Sequence, residues 1–123
     1  RLARKELKAR RDELIRGLQQ HAGQRVEVVD SPAGMHVVAW LPGYDHAQAQ
    51  QLIDLAHERG LGLYSMAPHY IHAPSRPGLM LGYCGLSIQE LREAMQLFGR
   101  CLDEIDMQIA NESVEPRQRC GVK

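Results

Sequence analysis

The sequence predicts an α+β fold, a small mixed or antiparallel sheet of about four strands with helices largely on one face. Three observations carry that expectation. Apolar residues recur at helical spacing in three separated segments; four short aliphatic stretches lie among them; and Gly, Pro and Asp punctuate the junctions. The predicted order is helix, strand, strand, helix, strand, strand, helix.

The first 21 residues read as one helix, with Leu7, Leu14, Ile15 and Leu18 on a common face and Arg10, Arg11, Asp12 and Glu13 turned to water. Gly23 ends it. Gln24 to Val29 reads as a strand, residues 30–34 (Asp-Ser-Pro-Ala-Gly) as a turn, and Met35 to Leu41 as a longer strand, so the pair is expected to form an antiparallel hairpin. Asp45 with Gln48 three residues on is an N-terminal capping signature. The helix it opens carries Ala49, Leu52, Ile53 and Ala56 inward and stops at Gly60. Leu61 to Met66 is a third strand, Ala67 to Pro77 an irregular loop with three prolines, and Gly78 to Cys84 a fourth strand. Ser87 and Glu90 form a capping box for the last helix, where Leu91, Met95, Phe98, Leu102, Ile105 and Ile109 keep helical spacing. From Asn111 the polar, aperiodic sequence with Pro116 and Gly121 predicts a frayed, flexible tail, which divides the chain into a domain over 1–109 and a tail over 110–123.

A chain of 123 residues buries about two-thirds of its unfolded surface, enough for one core. Fifteen basic and fifteen acidic residues cancel, so no global field draws it to nucleic acid or an acidic membrane. No apolar run approaches the ~18 residues that a membrane span needs, and the charged N-terminus is unlike a signal peptide. Three cysteines without framework spacing, two of them at apolar positions (Cys84, Cys101), predict reduced thiols and a cytoplasmic protein, with Cys120 in the tail.

Several constellations have a chemical and a plain reading. His69 and His72 have H-x-x-H spacing, but no third ligand converges, so no metal site is expected. Cys84 and His36 on neighbouring strands form a nucleophile-and-base pair on paper, whereas a small core thiol and a packed histidine explain both. Trp40 is expected in the core. The first helix carries seven basic residues (Arg1, Arg4, Lys5, Lys8, Arg10, Arg11, Arg16) against Glu6, Asp12 and Glu13. Without a recognition helix or interleaved aromatics, this reads as a solvated or interdomain face rather than a nucleic-acid interface.

Residues 77–87 (PGLMLGYCGLS), 34–42 (GMHVVAWLP) and 60–64 (GLGLY) resemble the C-terminal small domain of fold-type I aminotransferases, and among these the MocR/GabR-type regulators of the GntR family. The resemblance runs from about Leu2 to Ile105. It implies a fragment of a longer protein that binds pyridoxal phosphate in a separate large domain, responds to an amino-compound effector, and touches DNA only through a further N-terminal winged helix. The Schiff-base lysine that such chemistry needs has no match here: Lys5 and Lys8 lie on the predicted exposed side of a helix and Lys123 is the last residue. No catalytic or cofactor-binding residue is therefore assigned, and the chain is not expected to catalyse alone. Many members read L-R-[LI]-G-[FY] in the strand matching Leu79 to Tyr83, with the arginine clamping the substrate carboxylate. Met80 stands at that position, and Arg76 is the nearest arginine, about 13 Å away along an extended strand. The effector-facing candidates are Tyr70, Arg76 and Met80. A class I/II aminotransferase small domain and a free-standing interaction module are the alternatives.

Overall fold

A computed structural model describes residues 4–30, 36–66, 76–83 and 85–122, with the side chains of Asp30 and of residues after 112 outside the description. The second and third helices begin where side chains satisfy the first backbone N–H groups. The first helix, α1 (Arg4–His21), runs through a short 3-10 turn at Gly23–Arg25 into β1 (Glu27–Asp30). Gly23 adopts a positive φ of 59° there, which a residue without Cβ adopts at little cost. Strand β2 (His36–Trp40) precedes α2 (His46–Glu58), whose predicted capping box is present: Gln48 N–H donates to Asp45 Oδ1 at 2.7 Å and Asp45 N–H to Gln48 Oε1 at 2.8 Å. Strands β3 (Tyr64–Ser65) and β4 (Gly78–Gly82) lead to α3 (Ile88–Val122), whose first turn is closed by the reciprocal Ser87 and Glu90 bonds.

The four strands form one antiparallel sheet in the order β1-β2-β4-β3. All three helices cover one face. Successive strand residues point to opposite faces, so Val37 and Ala39 of β2 and Leu79 and Leu81 of β4 join Leu14, Leu18, Leu52, Ala56, Leu91, Met95, Phe98, Cys101, Leu102 and Ile105 in a single core. The inward residues expected of α2 are the buried ones. Helices α1 and α3 approach closely because Gly17 and Gly99 lie at the contact: a Cβ on Gly17 would stand 2.6 Å from Met95 Cβ, and one on Gly99 2.8 Å from His21 Cβ.

The strand expected from Gln24 begins only at Glu27, after the 3-10 turn, and further expectations about the helices and the third strand change. Glu13 does not face water; it is 8% exposed at the helix contact, paired with Arg16 of its own helix and Arg92 of α3. Arg10 likewise reaches across to donate to the Leu86 carbonyl at 2.7 Å. The third strand shrinks from Leu61–Met66 to two residues, since Leu61 and Leu63 turn into the core beneath α2 rather than pair with β4. Finally, the backbone of α3 continues as helix through Val122, beyond Asn111 where the periodic pattern stops. Among the described residues Ile109 is the last that packs against the core, and loss of the apolar pattern is not loss of the helix.

Candidate functional site

The sheet's other face carries the chemistry. Register places Glu27, Trp40 and Gly78 in one row across β1, β2 and β4, and Val29, Val38, Met80 and Tyr64 in the next row across all four strands. The second row is apolar. Val29 is 46% and Tyr64 60% exposed at its two ends, while Val38 is buried and Met80 half-buried between them.

In the first row the absence of a side chain at Gly78 decides the geometry. A Cβ there would meet two atoms of the Trp40 ring at 2.8 Å, so only glycine leaves room for the indole to lie against β4. Trp40 is thus half-buried on this outer face rather than part of the core. It forms a platform: the Arg76 guanidinium carbon stands 5.6 Å from its ring centroid, within cation–π range. From that platform Arg76 reaches across β2 to Glu27, Nη1 donating to Oε2 at 2.9 Å and Nη2 to Oε1 at 2.8 Å. This is the paired fork geometry of arginine with a carboxylate. The guanidinium's hydrogen bonds hold the Glu27 carboxyl below the usual carboxylate range, and Glu27 raises Arg76 in turn.

Of the predicted effector-facing residues, Arg76 and Met80 fall on this same face, while Tyr70 lies outside the described residues, as do His69, His72 and Cys84. His36 opens β2 opposite Gly82 and is half-buried. Glu27 escaped the sequence reading; as an isolated acid at a strand start, it gave no signal of its partner 49 residues away. Tyr44 also escaped it. Its hydroxyl donates to Asp106 at 2.6 Å, and burial with the adjacent carboxylate pushes the phenol up, so it stays a proton donor. Asp106 and Asp103 also receive Arg25, which bonds the His21 and Ala22 carbonyls and so ties the end of α1 to α3. An apolar cleft of about 320 Å³ opens on the helix side, beside Leu61, Leu63, Leu81, Leu86 and Leu97, away from Arg76 and Met80.

Lys8 is exposed and paired with Asp12, and Lys5 is exposed on the same helix. Neither has the desolvated setting that activates a Schiff-base lysine. Among the described residues no group of three His, Cys, Asp or Glu converges for a metal, and no helix is long and apolar enough to cross a membrane.

A four-stranded antiparallel sheet with three helices on one face is the fold of part of the pyridoxal-phosphate aminotransferases, as the sequence resemblance implied. The α-aminoadipate aminotransferase LysN of Thermus thermophilus superposes with a TM-score of 0.73 at 21% identity, covering 85% of this chain and 26% of that one. A multiple-substrate aminotransferase of Thermococcus profundus gives 0.71 at 20% identity, with 85% and 25% covered. The kynurenine aminotransferase of Pyrococcus horikoshii gives 0.70 at 20% identity, with 82% and 24% covered. Among curated sequences, the HTH-type transcriptional regulator YhdI of Bacillus subtilis (strain 168), itself uncharacterised, is 28% identical over 83 residues, 68% of this chain and 17% of that protein. No family model matches. The chain therefore spans about a sixth of its curated relative and about a quarter of its structural neighbours.

Proposed function

We propose that this chain is the C-terminal small domain of a MocR/GabR-type regulator of the GntR family, with an aminotransferase-like effector-binding region of fold type I. In the intact cytoplasmic protein it closes over a large domain that holds pyridoxal phosphate and an amino-compound effector. A separate N-terminal domain contacts DNA. The observation that carries this reading is the pairing of an aminotransferase-type fold with a sequence relative that is a transcriptional regulator. The exposed setting of Lys5 and Lys8 supports a binding and closure role rather than catalysis by this chain. Met80 supports it further, because a thioether cannot pair with a carboxylate as the arginine of ordinary transaminases does.

The outer sheet face is the effector side in this reading, with Met80 as an apolar wall and Arg76 as the cation. Two measurements test it. The chain mixed with pyridoxal phosphate should form no near-visible imine band that survives gel filtration, whereas the polypeptide extended upstream should form one and shift a DNA fragment from its own promoter. A stoichiometric imine on this chain, abolished by replacing one of its lysines, overturns the fragment reading. An extended polypeptide that transaminates and binds no DNA makes the parent a class I/II aminotransferase instead.

A further inference from the structure

We infer that the apolar cleft beside Gly82 receives an extended polypeptide segment, an aliphatic residue flanked on its own face by basic residues, which continues the ladder where β3 leaves off. This goes beyond the effector reading and does not rest on it. The backbone supplies the first reason. Alternate residues of an antiparallel strand turn their N–H and C=O groups to opposite neighbours. Leu41 N–H donates to the Pro77 carbonyl on the β2 side at 2.9 Å, and Met66 N–H to the Gly78 carbonyl on the β3 side at 2.8 Å. Gly78, Met80 and Gly82 therefore all address β3. The ladder nevertheless ends at the Tyr64 and Met80 pair. Gly62, which the register would set opposite Gly82, lines the cleft with it instead, and among the described residues neither glycine has a backbone partner on that side. Both are exposed.

The cleft supplies the second reason. Its volume of about 320 Å³ is that of a small-ligand pocket, about 300–1,000 Å³. Leu63, Leu81 and Leu91 line it from the core, and the half-buried Leu86, Ala94 and Leu97 complete its apolar surface. A strand added along Gly82 turns every second side chain to the helix-covered face. One aliphatic side chain then enters among the leucines, and the residues two places before and after it face the rim. The charged residues of the described lining are Glu90 and Glu93, both exposed on the first turns of α3, while Arg10, on the α1 side, is held by the Leu86 carbonyl. The rim thus favours cations at those two places and disfavours acids. In strand addition of this kind main-chain bonds give affinity and side-chain pockets give specificity.

The test titrates the full, isotope-labelled chain with the blocked peptide Arg-Thr-Leu-Thr-Arg and follows its amides by NMR. The Gly62, Gly82 and Leu97 amides should shift saturably at millimolar peptide, and the Gly82 amide should exchange with solvent several-fold more slowly when the peptide is bound. Peptides with Glu for both Arg, or Ser for Leu, should need several-fold higher concentration. Glu90→Gln combined with Glu93→Gln keeps a capping box, since Gln serves at that position; it should weaken the Arg peptide several-fold and leave the Glu peptide no weaker. No saturable shift with the Arg peptide, or equal binding of all three peptides, overturns the proposal. So do shifts confined to α1 or the outer sheet face, and the same shifts on concentrating the chain alone, which would make the occupant a second copy. The imine and DNA measurements above do not involve the cleft, so the parent's function is judged separately.

Discussion

Gly17→Ala sets a methyl carbon where α1 already touches α3. The added Cβ would lie 2.6 Å from both Cβ and Cγ of Met95, whereas carbons rest at about 3.5–4.0 Å. A rotamer change moves Cγ but leaves Met95 Cβ, which the α3 backbone fixes. The helices must therefore part locally by about 1 Å, drawing Leu14 and Leu18 of α1, 1% and 0% exposed, off their neighbours. Overpacking of this kind costs about 1–3 kcal/mol, and anchored atoms place it near the upper end. Alanine returns about 1 kcal/mol of helix propensity, leaving a net loss of about 2 kcal/mol. Urea denaturation followed by far-UV circular dichroism measures it as a lower midpoint at unchanged slope. Gly43→Ala is the control: nothing lies within 4 Å of its Cβ and its φ is not positive, so its midpoint should move by no more than the equivalent of about 0.5 kcal/mol. Adding Met95→Ala to Gly17→Ala removes the Cγ and Sδ contacts but leaves Cβ, and should not restore the wild-type midpoint. A Gly17→Ala chain as stable as the wild type would mean that α1 does not meet α3 at this point, and the core arrangement built on that contact would fall with it.

The same denaturant melts rank two positions of α3: Phe98→Ala should cost about 3–5 kcal/mol because Phe98 is fully buried, and Ser87→Ala about 1 kcal/mol through loss of its cap bond to Glu90 N–H. A cap variant as damaging as Phe98→Ala would contradict the assignment of the core. The third prediction concerns acid. Hydrogen bonding from Arg16, reinforced by both arginines' charges, holds the Glu13 carboxyl below its ordinary range. A depressed carboxylate contributes stability in full above its unfolded pKa, and that contribution is lost as pH falls through the lower folded value. The wild type should accordingly lose stability below the ordinary carboxylate range, and Glu13→Gln should lose less over the same interval; parallel acid limbs in thermal melts from neutral pH downward would refute the role given to Glu13.

Features that depend on a few adjacent residues were legible in the sequence. Both capping boxes, the inward residues of α2, the buried stripe of α3 and the β1–β2 hairpin follow from hydrogen bonds and side-chain periods that act within one or two turns of chain. The motif over residues 77–87 also marked the fold, and with it Met80 and Arg76 as positions of interest. Tertiary structure decided what lies opposite what. The strand order β1-β2-β4-β3 places Trp40 between Glu27 and Gly78, and this converts an expected core tryptophan into an outer platform and an unremarked acid into the partner of Arg76. It likewise buries Glu13, whose i and i+3 pattern alone reads as a solvated helix face, because Arg92 arrives from a helix 79 residues away. Local chemistry sets where an element begins and which side of it is apolar; the partner that meets a given side chain is set by chain closure over tens of residues, and no periodicity within a segment encodes it.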